Sequence, residues 1–148
     1  MPATRLSANI SRIQELTAVG DDKNSRKIVI IGGGFGGLFT ALDLNGAGEV
    51  TLINDEDHFL FRPMLYEYLS GEVEAWHIAP DCRELIEEQA KFIRGRVTSI
   101  DLASKTVKLA EREEPIPYNA LVVSPGATTN YSGVEGAEAV RASVSNLE

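Results

Sequence analysis

The stretch Lys27-Ile28-Val29-Ile30-Ile31-Gly32-Gly33-Gly34-Phe35-Gly36-Gly37 decides the fold of this chain. Its four consecutive β-branched apolar residues, Ile28, Val29, Ile30 and Ile31, predict a strand buried on both faces, as in a parallel sheet. Gly32, Gly34 and Gly37 then fit the spacing G-x-G-x-x-G. In that motif the first glycine permits a tight turn out of the strand. The second lets a pyrophosphate approach the backbone, and the third lets the next helix pack close to the sheet. Residues 38–44 predict that helix, ended by Asn45-Gly46, and residues 50–53 predict a second buried strand. Strand, glycine turn, helix and strand fill roughly 30 residues, the size of a βαβ unit. This context separates a dinucleotide site from a bare glycine-rich turn. The helix start offers N–H groups and a positive dipole end to phosphates.

The partner of an adenosine ribose is expected at the end of the second strand. The sequence there runs Asn54-Asp55-Glu56-Asp57. Asn54 and Asp55 both fit the contact, whereas Glu56 and Asp57 read as a solvated acidic turn. No arginine stands at the strand end, so neither candidate marks a 2′-phosphate.

Further out, residues 58–63 read as an aromatic loop and residues 64–69 as a short helix. Residues 80–89 read as a helix with Pro80 in its first turn. Residues 91–94 are a strand candidate. Residues 96–101 and 105–109 alternate and form a hairpin around Ala103-Ser104. Ile116-Pro117 starts another extended piece, and residues 120–123 form a last apolar strand, broken by Ser124-Pro125-Gly126. Trp76-His77 reads as a packing anchor, and Tyr66 and Tyr68 as core residues rather than ligands. The expected fold is α/β, a Rossmann-like domain with a parallel sheet and an antiparallel hairpin or meander, over residues 27–148. Residues 1–26 form a polar lead-in, in which Ile10, Ile13 and Leu16 recur at helical spacing.

Composition narrows the function classes. A length of 148 residues, 43% hydrophobic and 24% charged, suits one globular domain. The net charge of −8 argues against a nucleic-acid partner, since phosphate binding needs surplus Lys and Arg. One cysteine, Cys82, excludes an internal disulfide framework, and with only His58 and His77 besides it no metal site is expected. No apolar run approaches the roughly 20 residues of a spanning helix. The N-terminus lacks a secretory apolar core, so a cytoplasmic location is the default.

Four stretches, KIVIIGGGFGGL, VTLINDEDHFLFRPMLYEYLSGEV, RGRVTSIDLASKTVKL and PYNALVVSPGATTNYSGVEG, run in order across residues 27–136. Together they resemble the N-terminal part of flavoproteins with two dinucleotide-binding domains, and most closely the type II NADH dehydrogenases. The loop from Phe59 to Glu67 carries the distinction from generic flavin reductases. The resemblance implies FAD as cofactor, with Gly32, Gly34, Phe35 and Gly36 along its pyrophosphate and Gly33 and Gly37 completing the turn. It places Asn54 where the family has a ribose-binding acid, and Pro63 near the isoalloxazine ring with Arg62 facing it. Val97 would meet the adenine through its backbone. Ser124-Pro125-Gly126 matches the family's second FAD motif, usually Ala-Thr-Gly, with Gly126 retained and Ser124 weaker.

In such enzymes NADH reduces the flavin, and the flavin passes two electrons to a quinone, so no acid–base pair or nucleophile is expected here. The lone cysteine argues against the disulfide reductases and sulfide:quinone reductases of the same superfamily, and Cys82 reads as a buried bystander. The resemblance also implies a longer enzyme with a second Rossmann domain for NADH. A C-terminal segment would dock it peripherally on the inner face of a membrane, and a homodimer is compatible with it. No second G-x-G-x-x-G follows in this chain, which therefore reads as an N-terminal portion with little quinone reductase turnover of its own. Two alternatives stand beside this reading. One is another flavin reductase of the ferredoxin or rubredoxin type; the other is a non-catalytic dinucleotide-binding module, which a bound-flavin spectrum would separate.

Overall fold

A computed structural model describes residues 26–127. In chain order these form β1 (Lys27–Ile31), α1 (Phe35–Asp43), β2 (Glu49–Asn54), a 3-10 turn (Arg62–Met64), α2 (Leu65–Leu69), α3 (Ala75–Ile78), α4 (Cys82–Ile86), β3 (Lys91–Arg94), β4 (Val97–Asp101), β5 (Thr106–Leu109), β6 (Arg112–Pro117) and β7 (Ala120–Val123). The expected amphipathic helix around Ile10 lies outside the described residues. Among the described residues no helix is long and apolar enough to cross a membrane.

β1 is the centre of a four-stranded parallel sheet, ordered β3-β2-β1-β7. It pairs with β2 from Lys27↔Glu49 to Ile31↔Ile53 and with β7 from Ile28↔Ala120 to Ile31↔Val123. The continuous apolar run is needed because side chains alternate across two buried faces. Ile28 and Ile30 enter one core with Leu38, Ala41, Val50, Leu52, Phe59, Cys82 and Ile86, under the helices. Val29 and Ile31 enter a second core with Ile53, Val107, Leu109, Ile116 and Tyr118. That second core is capped by the antiparallel sheet β4-β5-β6. The α/β fold with a parallel sheet and an antiparallel one is therefore as expected.

Several local readings are corrected. The hairpin gains a third strand, because β6 begins at Arg112 rather than Ile116. Its polar start gave no apolar alternation, and its two prolines are tolerated on a sheet edge. Helix α1 starts at Phe35, three residues early, since Gly36 and Gly37 already lie within it. Helix α4 covers five residues, with Asp81 as N-cap accepting the Arg83 N–H at 2.6 Å, so Pro80 precedes the helix. Residues 87–89 form turns after it. Trp76 is no packing anchor: it is 68% exposed and stacks on His77 with centroids 3.6 Å apart. Tyr66 is 74% exposed rather than core, while Tyr68 is half-buried. Cys82 is fully buried, as expected.

Candidate functional site

The site forms where β1, β2 and β7 end together, the C-terminal edge of the parallel sheet, where open α/β sheets take their ligands. Gly32 leaves β1 at φ +100°, a region costly to any other residue. Its N–H donates to the Ile53 carbonyl at 2.8 Å, and Ser124 N–H donates to the Ile31 carbonyl at 2.8 Å. A Cβ on Gly32 would overlap the Ser124 carbonyl oxygen. These contacts tie the turn to both neighbouring strands.

Gly34 is the N-cap of α1 and brings no side-chain cap to the helix. The first N–H groups of the helix thus keep their donors for another acceptor. Among the described residues, no atom beyond its chain neighbours and its own helix backbone comes within 4 Å of the position a Gly34 Cβ would take. The chain's own packing does not require glycine there; an open approach to the backbone does. Gly37 is the opposite case, since a Cβ there would overlap the Gly32 carbonyl oxygen. A Gly36 Cβ would lie 3.2 Å from Ser124 Oγ.

Asn54 ends β2 with its side chain turned to this loop. Its Oδ1 accepts the Gly33 N–H at 2.8 Å, and its Nδ2 donates to the Glu56 carbonyl at 2.9 Å. Asp55 follows it along an open cavity of about 200 Å³. Ile31, Gly32, Ile53, Asn54, Gly95, Arg96, Val97 and Pro125 also line that cavity. The structure therefore brings Gly32, Asn54, Asp55 and Val97 to one depression. Gly95 and Arg96 share it without any motif to signal them beforehand. Gly126 stands nearby in the chain at φ +72°, and among the described residues nothing but its chain neighbours comes within 4 Å of the position its Cβ would take. Ser124 Oγ is buried and has no hydrogen-bond partner among the described residues.

Phe35 opens the other side of the loop. Its ring meets Phe59 edge-on at 4.9 Å between centroids and Phe61 at 5.6 Å. Phe61 leads directly into the 3-10 turn that holds Arg62 and Pro63, both exposed. The aromatic cluster thus seats the Arg62-Pro63 turn on the helix that starts at the glycine loop. Behind β2, Arg94 donates to the Asp55 carbonyl at 3.2 Å and pairs with Asp57 at 3.1 Å. The hydrogen bond from His58 and the Arg94 charge hold the Asp57 carboxyl below its ordinary value. That arginine is engaged with the acidic turn and is not presented to the cavity.

The arrangement offers uncapped helix N–H groups, an open glycine backbone and an open depression at strand ends. It suits the diphosphate and one nucleoside of a dinucleotide, bound mainly through backbone.

The profile of the pyridine nucleotide-disulphide oxidoreductase family matches residues 26–148. Demethylphylloquinone reductase NdbB of Synechocystis is 36% identical over 121 residues, covering 74% of this chain and 30% of the relative. Type II NADH:quinone oxidoreductase NdhA of Mycobacterium tuberculosis is 38% identical over 124 residues, covering 80% of this chain and 26% of the relative. The crystal structure of a sulfide:quinone oxidoreductase from Aquifex aeolicus superposes with a TM-score of 0.68 at 30% identity. It covers 77% of this chain and 27% of that one. The chain spans less than a third of the length of these relatives. By the match of the family profile over most of its length, and by a sheet and glycine turn built to that pattern, this chain belongs to the pyridine nucleotide-disulphide oxidoreductase family.

Proposed function

We propose that residues 27–148 form the N-terminal portion of the FAD-binding domain of a type II NADH:quinone oxidoreductase. The observation that carries this is the open, uncapped helix start at Gly34 beside the cavity at the strand ends. It supports a bound dinucleotide, and the quinone reductases NdbB and NdhA among the relatives favour FAD with NADH and a quinone as substrates. FAD held there would supply the redox chemistry, two-electron exchange between NADH and a quinone.

The residues of this chain would bind and orient. The backbone of Gly34 and Phe35 would take the diphosphate at the helix start, with Gly32, Gly33, Gly36 and Gly37 shaping the turn around it. Asn54 or Asp55 would meet the ribose, and the Val97 backbone the adenine, in the cavity they share. Ser124 and Gly126 would pass backbone along the cofactor. Arg62 and Pro63 would stand beside the flavin ring, held there by the Phe35–Phe61 contact. A quinone acceptor would put the full-length enzyme at a membrane surface.

A second reading has one observation behind it, the likeness to a sulfide:quinone oxidoreductase. Cys82 lends it no support. The thiol is fully buried in the helix-side core, and burial pushes its pKa up to about 11, which removes the thiolate that sulfur chemistry needs.

The test is the visible spectrum of the purified protein. The two-band absorption of oxidised flavin is expected. Photoreduction should bleach it, and an added quinone should restore it without oxygen. A protein that carries and takes up no flavin would contradict the proposal.

A further inference from the structure

Asn54 does more than end a strand. Through Oδ1 it holds the Gly33 N–H at 2.8 Å, and through Nδ2 it holds the Glu56 carbonyl at 2.9 Å. One amide thus ties the turn that leaves β1 to the turn that leaves β2. A carboxylate in its place would keep the first bond and lose the second, because it has no donor.

The contact also explains a glycine that the G-x-G-x-x-G spacing leaves free. Gly33 has no positive φ, so backbone twist does not demand glycine there. Instead, a Cβ on Gly33 would lie 2.8 Å from Asn54 Cγ and 2.9 Å from Nδ2. That amide is held at both ends and has little freedom to retreat.

We infer that Asn54 is a positioning residue that holds the glycine turn in its nucleotide-ready shape before any nucleotide arrives, and that Gly33 is glycine because of that amide. The identity of the nucleotide rests on the proposed FAD reading, whereas the positioning does not.

The experiment compares the full chain with Asn54→Ala, Asn54→Asp, Gly33→Ala and the Gly33→Ala/Asn54→Ala double variant. It reads amide hydrogen exchange at Gly33 without flavin, FAD affinity by flavin fluorescence quenching, and the unfolding midpoint. Asn54→Ala should speed Gly33 exchange and weaken FAD binding, each by about tenfold, the scale of one lost hydrogen bond. Asn54→Asp should keep Gly33 exchange slow, because the acceptor survives. Gly33→Ala should cost less stability in the Asn54→Ala background than in the parent, a coupling that independent sites do not show.

Unchanged Gly33 exchange in Asn54→Ala, with or without weaker flavin binding, would overturn the inference; with weaker binding it would make Asn54 a direct ligand only. Additive losses in the double variant would overturn the second half. If the parent binds no FAD, the function proposal fails while exchange and coupling still decide the positioning role.

Discussion

Gly37 carries its α-carbon against the Gly32 carbonyl so closely that a Cβ on Gly37 would overlap the oxygen, while also coming within 3.1 Å of Ser124 Oγ. This contact sets how near α1 lies to the sheet, and therefore where the uncapped helix start at Gly34 faces. The two outer glycines of the motif serve the protein's own packing, and the middle one leaves a surface open.

Gly37→Ala should therefore destabilise the chain by about 2–3 kcal/mol, the upper part of the overpacking range, because the obstacle is backbone that cannot move aside. Gly34→Ala should cost no more than about 1 kcal/mol, the scale of exchanging glycine for alanine at a helix N-cap, yet weaken FAD binding about tenfold or more. Urea unfolding and flavin titration of both variants separate the two roles. Equal losses of stability would contradict the division.

Cys82 should resist alkylation in the folded chain and react on unfolding. Its folded pKa is raised from 9.0 to about 11, first by burial and then by the Asp81 and Asp57 charges. The raised value means that its contribution to stability is complete below pH 9.0 and is lost as pH rises towards 11. Denaturation curves across that window should show the loss, and Cys82→Ala should flatten it. Cys82→Ser should cost more than Cys82→Ala, since it leaves a hydroxyl among Phe59, Leu38 and Ile86.

At the acid end, Asp101 accepts the Ser104 N–H at 3.0 Å and the Ala103 N–H at 2.9 Å. These bonds, the Ser104 contribution first, hold its carboxyl below the ordinary 3.8. Asp57 is lowered likewise, first by the His58 hydrogen bond. A lowered carboxyl stabilises the fold above its ordinary value and ceases to do so as pH falls below it. As pH falls below 3.8, Asp101→Asn should lose less stability than the parent. An identical acid loss in urea titrations would refute the assignment.

Lys105 sits at φ 51° in the turn between β4 and β5, a conformation that costs a side-chain-bearing residue. Lys105→Gly should stabilise the hairpin by up to about 1 kcal/mol, read as a higher thermal midpoint with the same unfolding slope. A fall in the midpoint would show that the lysine side chain, not the backbone, decides the turn.

Legibility in the sequence followed burial. β1 and β2 could be read because strands buried on both faces must be apolar nearly throughout, whereas the edge strands β3 and β7, only half-buried at Phe92, Ile93, Leu121 and Val122, showed as short apolar runs. Helix α1 was readable in kind but not in start, because glycines that look like loop are helical wherever close approach demands them, as at Gly37. β6 was opaque over Arg112, Glu113 and Glu114, all exposed, where Arg112 pairs with Leu109 of β5 and no apolar face marks the strand. The exposure of Trp76 and Tyr66 depends on which neighbours arrive, and no local pattern carries that. In the site, the motif glycines and Asn54 stood out from the residues and Val97 only through the family resemblance, while Arg96 reaches the cavity because the chain passes from β3 in one sheet to β4 in the other through Gly95-Arg96. The Gly33–Asn54 bond joins residues 21 apart and became visible only with the fold.

The central claim is that FAD lies across the glycine turn with its adenosine in the Asn54–Val97 cavity. An ¹⁵N-resolved FAD titration of the full chain tests it most directly. The account predicts that amide shifts concentrate at Gly32, Gly33, Gly34, Phe35, Asn54, Val97 and Gly126, and that Gly34→Ala suppresses them. Shifts that fall elsewhere, for instance at Lys27, Lys91 and Arg112 around the cavity at the opposite end of the sheet, would contradict it.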